Sequence, residues 1–328
     1  MGIRKTDGQT MRVAIVTGAS RGIGRACAEM LARRGIRVFG FSRTAAEGSP
    51  DVSNRTGREP AGGMSQPEHI ACDVTDSDSV AAGVEAVLAR AGRVDIVVCN
   101  AGFGIAGPVE TAAEAEVQRQ FDVNYGGVVR VITAVLPHLR VTQGSIVCVS
   151  SVAALLPVPY QAHYSASKAA LCALVLALRN EVSAQGVRVS CVLPGDTRTG
   201  FTDARWRTGR GAGASGSAGA GAESGGGGGV GVDGGGGGGA HGERAGVGEA
   251  ANNADAHYPR AEAAIAKMEQ DERRGMSADV VARAVVRAAL ARHPRPMRVV
   301  GAPYRLFAVL ARVLPTGVVN RLEGMLYG

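Results

Sequence analysis

Short apolar runs separated by amphipathic stretches dominate the chain from Met11 to Leu193. Arg12 to Thr17, Arg37 to Ser42, His69 to Cys72, Val94 to Cys99, Ser145 to Val149 and Val187 to Leu193 are rich in valine and isoleucine and carry few polar side chains. Runs of this kind are the pattern of strands buried on both faces. Between them the apolar positions fall at helical spacing: Arg25 to Arg34, a stretch ending at Ala91, a long helix from about Ala112 to Leu139, and a helix opening at Tyr164 with the stripe Leu171, Leu174, Val175 and Leu178. Strand alternating with helix predicts an α/β chain with a single doubly wound parallel sheet and helices on both faces.

Two stretches interrupt the alternation. Thr44 to Pro67 is polar and rich in glycine, proline and serine, which predicts a loop. From Gly209 to Ala250, 21 of 42 residues are glycine. That segment has too little apolar surface to offset its ordering entropy and is expected to be a disordered, dispensable insertion. Order is expected to return near Tyr258 with a charged helix to about Gly275, then a helix capped by Ser277 and reaching His293, and a last strand from Met297 to Val300. Residues 1–10 read as a flexible N-terminus, 11–328 as one domain around the insertion, and 302–328 as an amphipathic tail broken at Pro315.

Composition narrows the picture. An apolar fraction of 45% over 328 residues supports a real core. No run reaches the length of a membrane span and the N-terminus lacks the apolar stretch of a signal peptide, so a cytoplasmic protein is expected. The tail is expected to act as a substrate flap, a subunit contact or an interfacial helix lying on a membrane. The net charge of +7 comes from scattered arginines with only 4% aromatic residues, which argues against nucleic acid. The six cysteines are distant in sequence and form no Cys-x-x-Cys pair, so core thiols rather than a metal site are expected.

The candidate chemistry lies between Ser150 and Ala170. Tyr164 and Lys168, four apart on a helix, share a face. A lysine ammonium beside a phenol favours the phenolate, which would let Tyr164 act as acid or base near neutrality. Ser151, at the end of an apolar strand, offers a hydroxyl for a carbonyl or alcohol oxygen. Upstream, the first strand runs into Gly18-Ala-Ser20-Arg21-Gly22-Ile23-Gly24 and a helix. Strand, glycine turn and helix is a phosphate-binding arrangement, because backbone N–H groups at a helix start can approach a pyrophosphate where no β-carbon intrudes.

Taken with Asn100-Ala101-Gly102, this ordered set resembles the short-chain dehydrogenase/reductase family from about Met11 to Gly200. The resemblance implies a Rossmann-type fold and a catalytic tetrad of Asn124, Ser151, Tyr164 and Lys168, with Lys168 lowering the phenol pKa and Asn124 holding a water that connects the lysine to solvent. It further implies cofactor contacts from Gly18, Ser20, Arg21, Gly22, Ile23, Gly24, Asp73, Val74, Asn100, Ala101, Gly102, Tyr164, Lys168, Pro194, Gly195, Thr197 and Thr199. Asp73 also reads as a helix cap beside Thr75, Asp76 and Asp78. Where NAD-preferring folds carry an acid after the second strand, this chain has Ser42 and Arg43, and Arg21 stands in the glycine turn, which favours NADP(H).

The expected activity is therefore hydride transfer between NADP(H) and a carbonyl or secondary alcohol. Leu155, Leu156, Pro157, Val158 and the Phe103 loop suggest a lipophilic substrate, and the tail resembles those of enzymes acting on steroids, retinoids or long-chain acyl groups. A 3-oxoacyl thioester reductase and a non-catalytic NADPH-binding sensor or scaffold are the alternatives. The family implies a homodimer or homotetramer.

Overall fold

A computed structural model describes residues 11–45, 66–203, 205–208 and 257–327. The expected flexible N-terminus, most of the predicted loop at 44–67 and the glycine-rich insertion lie outside the described residues. Seven strands form one sheet: β1 (Val13–Thr17), β2 (Arg37–Ser42), β3 (Glu68–Ala71), β4 (Ile96–Cys99), β5 (Ser145–Val149), β6 (Arg188–Pro194) and β7 (Met297–Val300). Their order is β7-β6-β5-β4-β1-β2-β3, and every neighbouring pair is parallel.

Strand residues alternate between two cores. Val13 and Ile15 of β1 join one apolar cluster, while Ala14 and Val16 join the other. The first core is closed by α2 (Ser77–Ala91), α4 (Gly127–Thr142) and α5 (Ala162–Glu181), through residues such as Val84, Val135 and Val175. The second is closed by α1 (Gly22–Ala32) and α7 (Ala278–Leu290), through Cys27, Leu31, Val281 and Val285. Burial on both faces is why these strands are continuous apolar runs. The Rossmann-type doubly wound fold expected from the alternation is the fold observed.

Local details differ from the sequence reading. The single helix expected from Ala112 to Leu139 is divided: α3 (Glu114–Phe121) passes through a π turn at Asp122–Gly126 before α4 begins. An apolar period of 3.6 cannot reveal one extra residue in a turn, and such turns gather at functional sites. The helix after Ser277 stops at Leu290 rather than His293, because the backbone already turns extended at Ala291. Ser277 is the N-cap residue, although its side chain makes no capping bond. The charged helix beyond Tyr258 is α6 (Ala261–Arg274), closed by Gly275. The tail forms two helices, α8 (Ala302–Val313) and α9 (Thr316–Tyr327), separated at Pro315 as expected.

The strand order reverses between β1 and β4. In parallel α/β sheets the crevice at such a reversal, beyond the carboxyl ends of the strands, is where ligands bind. Thr17, Asn100, Ser151 and Pro194 all lie at that edge.

Candidate active site

Thr17 and Asn100 tie the ends of β1 and β4 together. The Thr17 hydroxyl accepts from the backbone N–H of Asn100 (2.9 Å) and Ala101 (3.0 Å), and the Asn100 amide donates to the carbonyls of Thr17 (3.1 Å) and Gly18 (3.2 Å). A β-carbon on Gly24 would overlap the Gly18 carbonyl, so the glycine turn closes tightly only because that position is bare. Gly18 and Gly22 both take left-handed backbone, at φ +64° and +56°. Arg21 stands at the N-cap of α1 with no side-chain capping bond, and the first turn holds no acid. Free N–H groups at a helix start, with no resident carboxylate, suit an anion.

The rest of the expected cofactor rim is arranged around this turn. A β-carbon on Gly22 would stand 3.3 Å from Cβ of Thr199, which brings the segment after β6 against the glycine turn. Thr197 donates its hydroxyl to the Gly195 carbonyl (2.7 Å) and Thr199 accepts from the Phe201 N–H (3.2 Å). Ser42 is buried with its hydroxyl donated to the Thr44 carbonyl (2.8 Å), whereas Arg21 and Arg43 are exposed. Ser20 is half-buried in the glycine turn, and Ile23 packs on the α1 core.

The two readings of Asp73 separate. Asp76, not Asp73, caps α2 by accepting from the N–H of Asp78 and Ser79. Asp73 accepts from the N–H and hydroxyl of Thr75 (3.0 and 2.8 Å). Burial raises its carboxyl pKa, but the Thr75 bonds and the Arg43 and Arg119 charges outweigh that and hold it below the usual value. The Val74 side chain faces inward against Gly127, where a β-carbon would stand 2.7 Å from Cγ2.

The four expected catalytic residues converge. Ser151 caps a short 3-10 turn (Val152–Ala154), accepting from the Ala153 N–H (3.2 Å), and its hydroxyl lies near enough to the Tyr164 phenol to favour the phenolate. Lys168 follows one helical turn after Tyr164, with Nζ 5.8 Å from the centre of the tyrosine ring. That ammonium is buried (4% exposed) and donates to the Val149 carbonyl at 3.1 Å. Asn124, fully buried in the π turn, accepts from the Phe103 N–H and donates to the Phe103 carbonyl and the Ser167 hydroxyl, each at 3.0 Å. Gly102 separates Asn124 from Lys168: a β-carbon there would stand 2.9 Å from Asn124 Oδ1 and 3.4 Å from Lys168 Nζ.

The electrostatics correct one expectation. Lys168 was expected to lower the phenol pKa; instead burial pushes Tyr164 up to about 12, against the Ser151 hydroxyl and the Arg205 charge and with the Glu272 charge. Lys168 bonds a backbone carbonyl, and its own burial takes it down to about 8, an effect the neighbouring Cys191, Cys172 and Cys148 thiols oppose. The low-dielectric site thus disfavours charge on both groups. All six cysteines are buried and free, as expected of core thiols, with Cys172 and Cys191 sulfurs 3.8 Å apart.

Several residues along this edge of the sheet carried no signal in the sequence. The Phe201 ring lies 5.6 Å from the Tyr164 ring, and the Arg205 guanidinium lies over the Phe201 ring at 5.8 Å. The buried Arg205 pairs with Glu272 of α6, which also accepts from the Thr202 hydroxyl (2.6 Å). Ser150 donates to the Lys168 carbonyl at 2.8 Å. Tyr304 packs on Gly195 and donates to Asp196. Only the apolar run before Ser150 hinted at any of these.

Residues 12–209 match the family model for short chain dehydrogenases. Over 195 residues, 59% of this chain and 67% of its relative, the sequence is 38% identical to a 3-ketodihydrosphingosine reductase of Bacteroides thetaiotaomicron. A short-chain dehydrogenase structure from Streptomyces avermitilis superposes with a TM-score of 0.66 at 25% identity, covering 97% of this chain and 95% of that one. Two structures at 30% identity cover 60% of this chain. One is an alcohol dehydrogenase of Thermococcus sibiricus complexed with 5-hydroxy-NADP (TM-score 0.52, 81% of that chain). The other is a 3-ketoacyl-(acyl-carrier-protein) reductase of Brucella melitensis complexed with NADH (TM-score 0.53, 80% of that chain).

Proposed function

Since the chain belongs to the short-chain dehydrogenase family, an oxidoreductase acting on carbonyl and alcohol groups, we propose that it uses NADP(H) to interconvert a ketone and a secondary alcohol on a lipophilic substrate. The observation that carries this is the Ser151 hydroxyl within electrostatic reach of the Tyr164 phenol, with Lys168 buried one turn along the same helix, at the sheet edge where the glycine turn opens.

The cradle fits a dinucleotide. Left-handed glycines, a bare α1 N-terminus without acids and the space that Gly22 leaves beside Thr199 suit a pyrophosphate. Arg21 and Arg43 supply exposed cations where an adenosine 2′-phosphate would lie, and Ser42 and Arg43 stand where an acid would bind ribose hydroxyls. Gly18, Gly24, Asn100, Ala101, Gly102, Asp73, Pro194, Gly195, Thr197 and Thr199 complete the proposed rim. A nicotinamide there would supply or accept the hydride.

Ser151 holds the substrate oxygen beside the phenol. In the reductive direction Tyr164 donates its proton to that oxygen as negative charge develops; a phenol with a pKa raised to about 12 is fully protonated for this step. Lys168, with a pKa near 8, then returns a proton to the phenolate. Asn124 holds the Phe103 turn against α5 through Ser167, fixing the wall beside Lys168. We further propose that the Asn124 turn admits the water that recharges the lysine.

The relatives named for 3-keto substrates support a long-chain 3-ketone, with a 3-oxoacyl thioester as the second reading. Phe201, beside Tyr164, adds to the apolar wall expected from Phe103 and Leu155 to Val158. The open groove between α4 and α5, lined by Val129, Ile132, Leu136 and Leu174, supports a second copy of the chain as partner. The test is oxidation of NADPH and of NADH by the purified protein against long-chain 3-ketones, acyl thioesters, steroid ketones, retinal and small aldehydes, with Tyr164→Phe as control. NADPH-driven turnover lost in the variant is expected. Tight NADPH binding with no turnover across the panel would instead favour a sensor or scaffold.

A further inference from the structure

We propose that α8 and α9 dock this protein onto an anionic lipid surface, lying in the headgroup region without crossing it. The inference is independent of the substrate reading. Among the described residues, no helix is long and apolar enough to span a bilayer.

Helix α8 buries none of its residues. Its partly covered positions, Tyr304, Ala308 and Ala311, are spaced so that they share one face, and Tyr304 is the one that rests on Gly195. On the opposite face Leu306 (61% exposed), Val309 (58%), Leu310 and Val313 (76%) recur at i, i+3, i+4 and i+7, with Phe307 beside them. Helix α9 continues the pattern with exposed Val318, Leu322 and Met325. An isolated helix of 12 residues is marginal in water and usually owes its stability to burying an apolar face. Here that face points away from the body.

Charge selects the occupant. From Val280 to Leu322 the chain carries eight arginines and not one aspartate or glutamate. Arg305 and Arg312 are exposed and flank the α8 stripe, and Arg321 lies among the open positions of α9. Burial lowers the pKa of Arg298, and so do the charges of Arg287, Arg295 and Arg305, which places three guanidiniums within the field of Arg298. An isologous pairing of this face with its own copy would set the same arginines against each other. An anionic bilayer accepts both features: acyl chains take the leucines and valines while the guanidiniums reach the phosphates. Because α8 starts directly after β7 ends, this surface begins at the sheet edge that carries Ser151 and Pro194.

The test is co-sedimentation of the full chain with vesicles of neutral phosphatidylcholine and of phosphatidylcholine mixed with phosphatidylglycerol, at low and high salt. Binding to the mixed vesicles, weakened by salt, is expected. Arg305→Gln with Arg312→Gln should weaken it by roughly 5-fold per arginine, and Leu306→Asp with Leu310→Asp should abolish it. Both double variants should keep NADPH affinity and circular dichroism, which separates lost docking from misfolding. Equal sedimentation of wild type and both variants, or none with either vesicle, would overturn the proposal. So would a dimer in solution that the leucine variant converts to monomer.

Discussion

The ring of Tyr304 occupies the space that a β-carbon on Gly195 would need, and its hydroxyl donates to the neighbouring Asp196. The start of the tail is thereby built into the segment after β6, which elsewhere touches the glycine turn through Thr199.

Gly195→Ala is expected to displace Tyr304 and destabilise the protein by about 1–3 kcal/mol, the usual cost of overpacking. In Tyr304→Ala the same glycine substitution should cost much less, because the ring is gone. Urea denaturation of the four proteins measures the coupling; additive losses would show that the two residues do not share the space.

Tyr164→Phe should lower turnover by about 10²-fold or more, the scale of a lost general acid, with NADPH affinity little changed. Ser151→Ala should lose less, since the hydroxyl positions an oxygen and transfers no proton in the chemical step. Steady-state rates and cofactor fluorescence separate the effects. Wild-type turnover in Tyr164→Phe would remove the proposed mechanism.

Lys168 gives stability a definite pH dependence. Its ordinary pKa near 10.5 falls to about 8 in the folded protein. Between those values the unfolded chain holds a proton that the native state lacks, so this group's contribution rises with pH from about 8 to about 10.5 and is lost on going down. Tyr164 runs the other way: raised to about 12, it is lost as a stabilising group while pH climbs above about 10. Lys168→Met should flatten the rise between pH 8 and 10 in urea midpoints. An unchanged slope would place the lysine's pKa elsewhere.

Arg21→Ala and Arg43→Ala together should raise KM for NADPH by roughly 10- to 100-fold while leaving NADH nearly unchanged, as expected for one or two lost charge-assisted bonds to a phosphate. Equal effects on both cofactors would mean that neither arginine reads the 2′-phosphate.

Breaking the Arg205–Glu272 pair should cost about 3–5 kcal/mol for Arg205→Met alone, because Glu272 is left with an uncompensated charge next to Tyr164. The double variant with Glu272→Met should recover much of that loss. Thermal unfolding of the set decides it, and a double variant no more stable than the single would reject the pairing argument.

Much of the fold and of the site is legible in the sequence. A valine-rich run such as Ile96–Cys99 has to be buried on both sides, and helices spaced between such runs leave few arrangements other than a parallel doubly wound sheet. Tyr164 and Lys168 could be read as neighbours because one helix holds both, and their spacing is a property of the helix itself. The π turn at Asn124 was not legible, because a single inserted residue barely disturbs an apolar period.

Local chain geometry therefore determined the strands, the helices between them, the glycine turn and the Tyr164–Lys168 face, since each depends on residues a few positions apart. Tertiary structure alone decided what burial does to those groups. It set a phenol pKa that rises rather than falls, an Arg205–Glu272 pair joined across 67 positions, and a Tyr304 ring seated on Gly195. Desolvation and long-range contact depend on which distant surfaces close over a side chain, and no spacing along the chain encodes that.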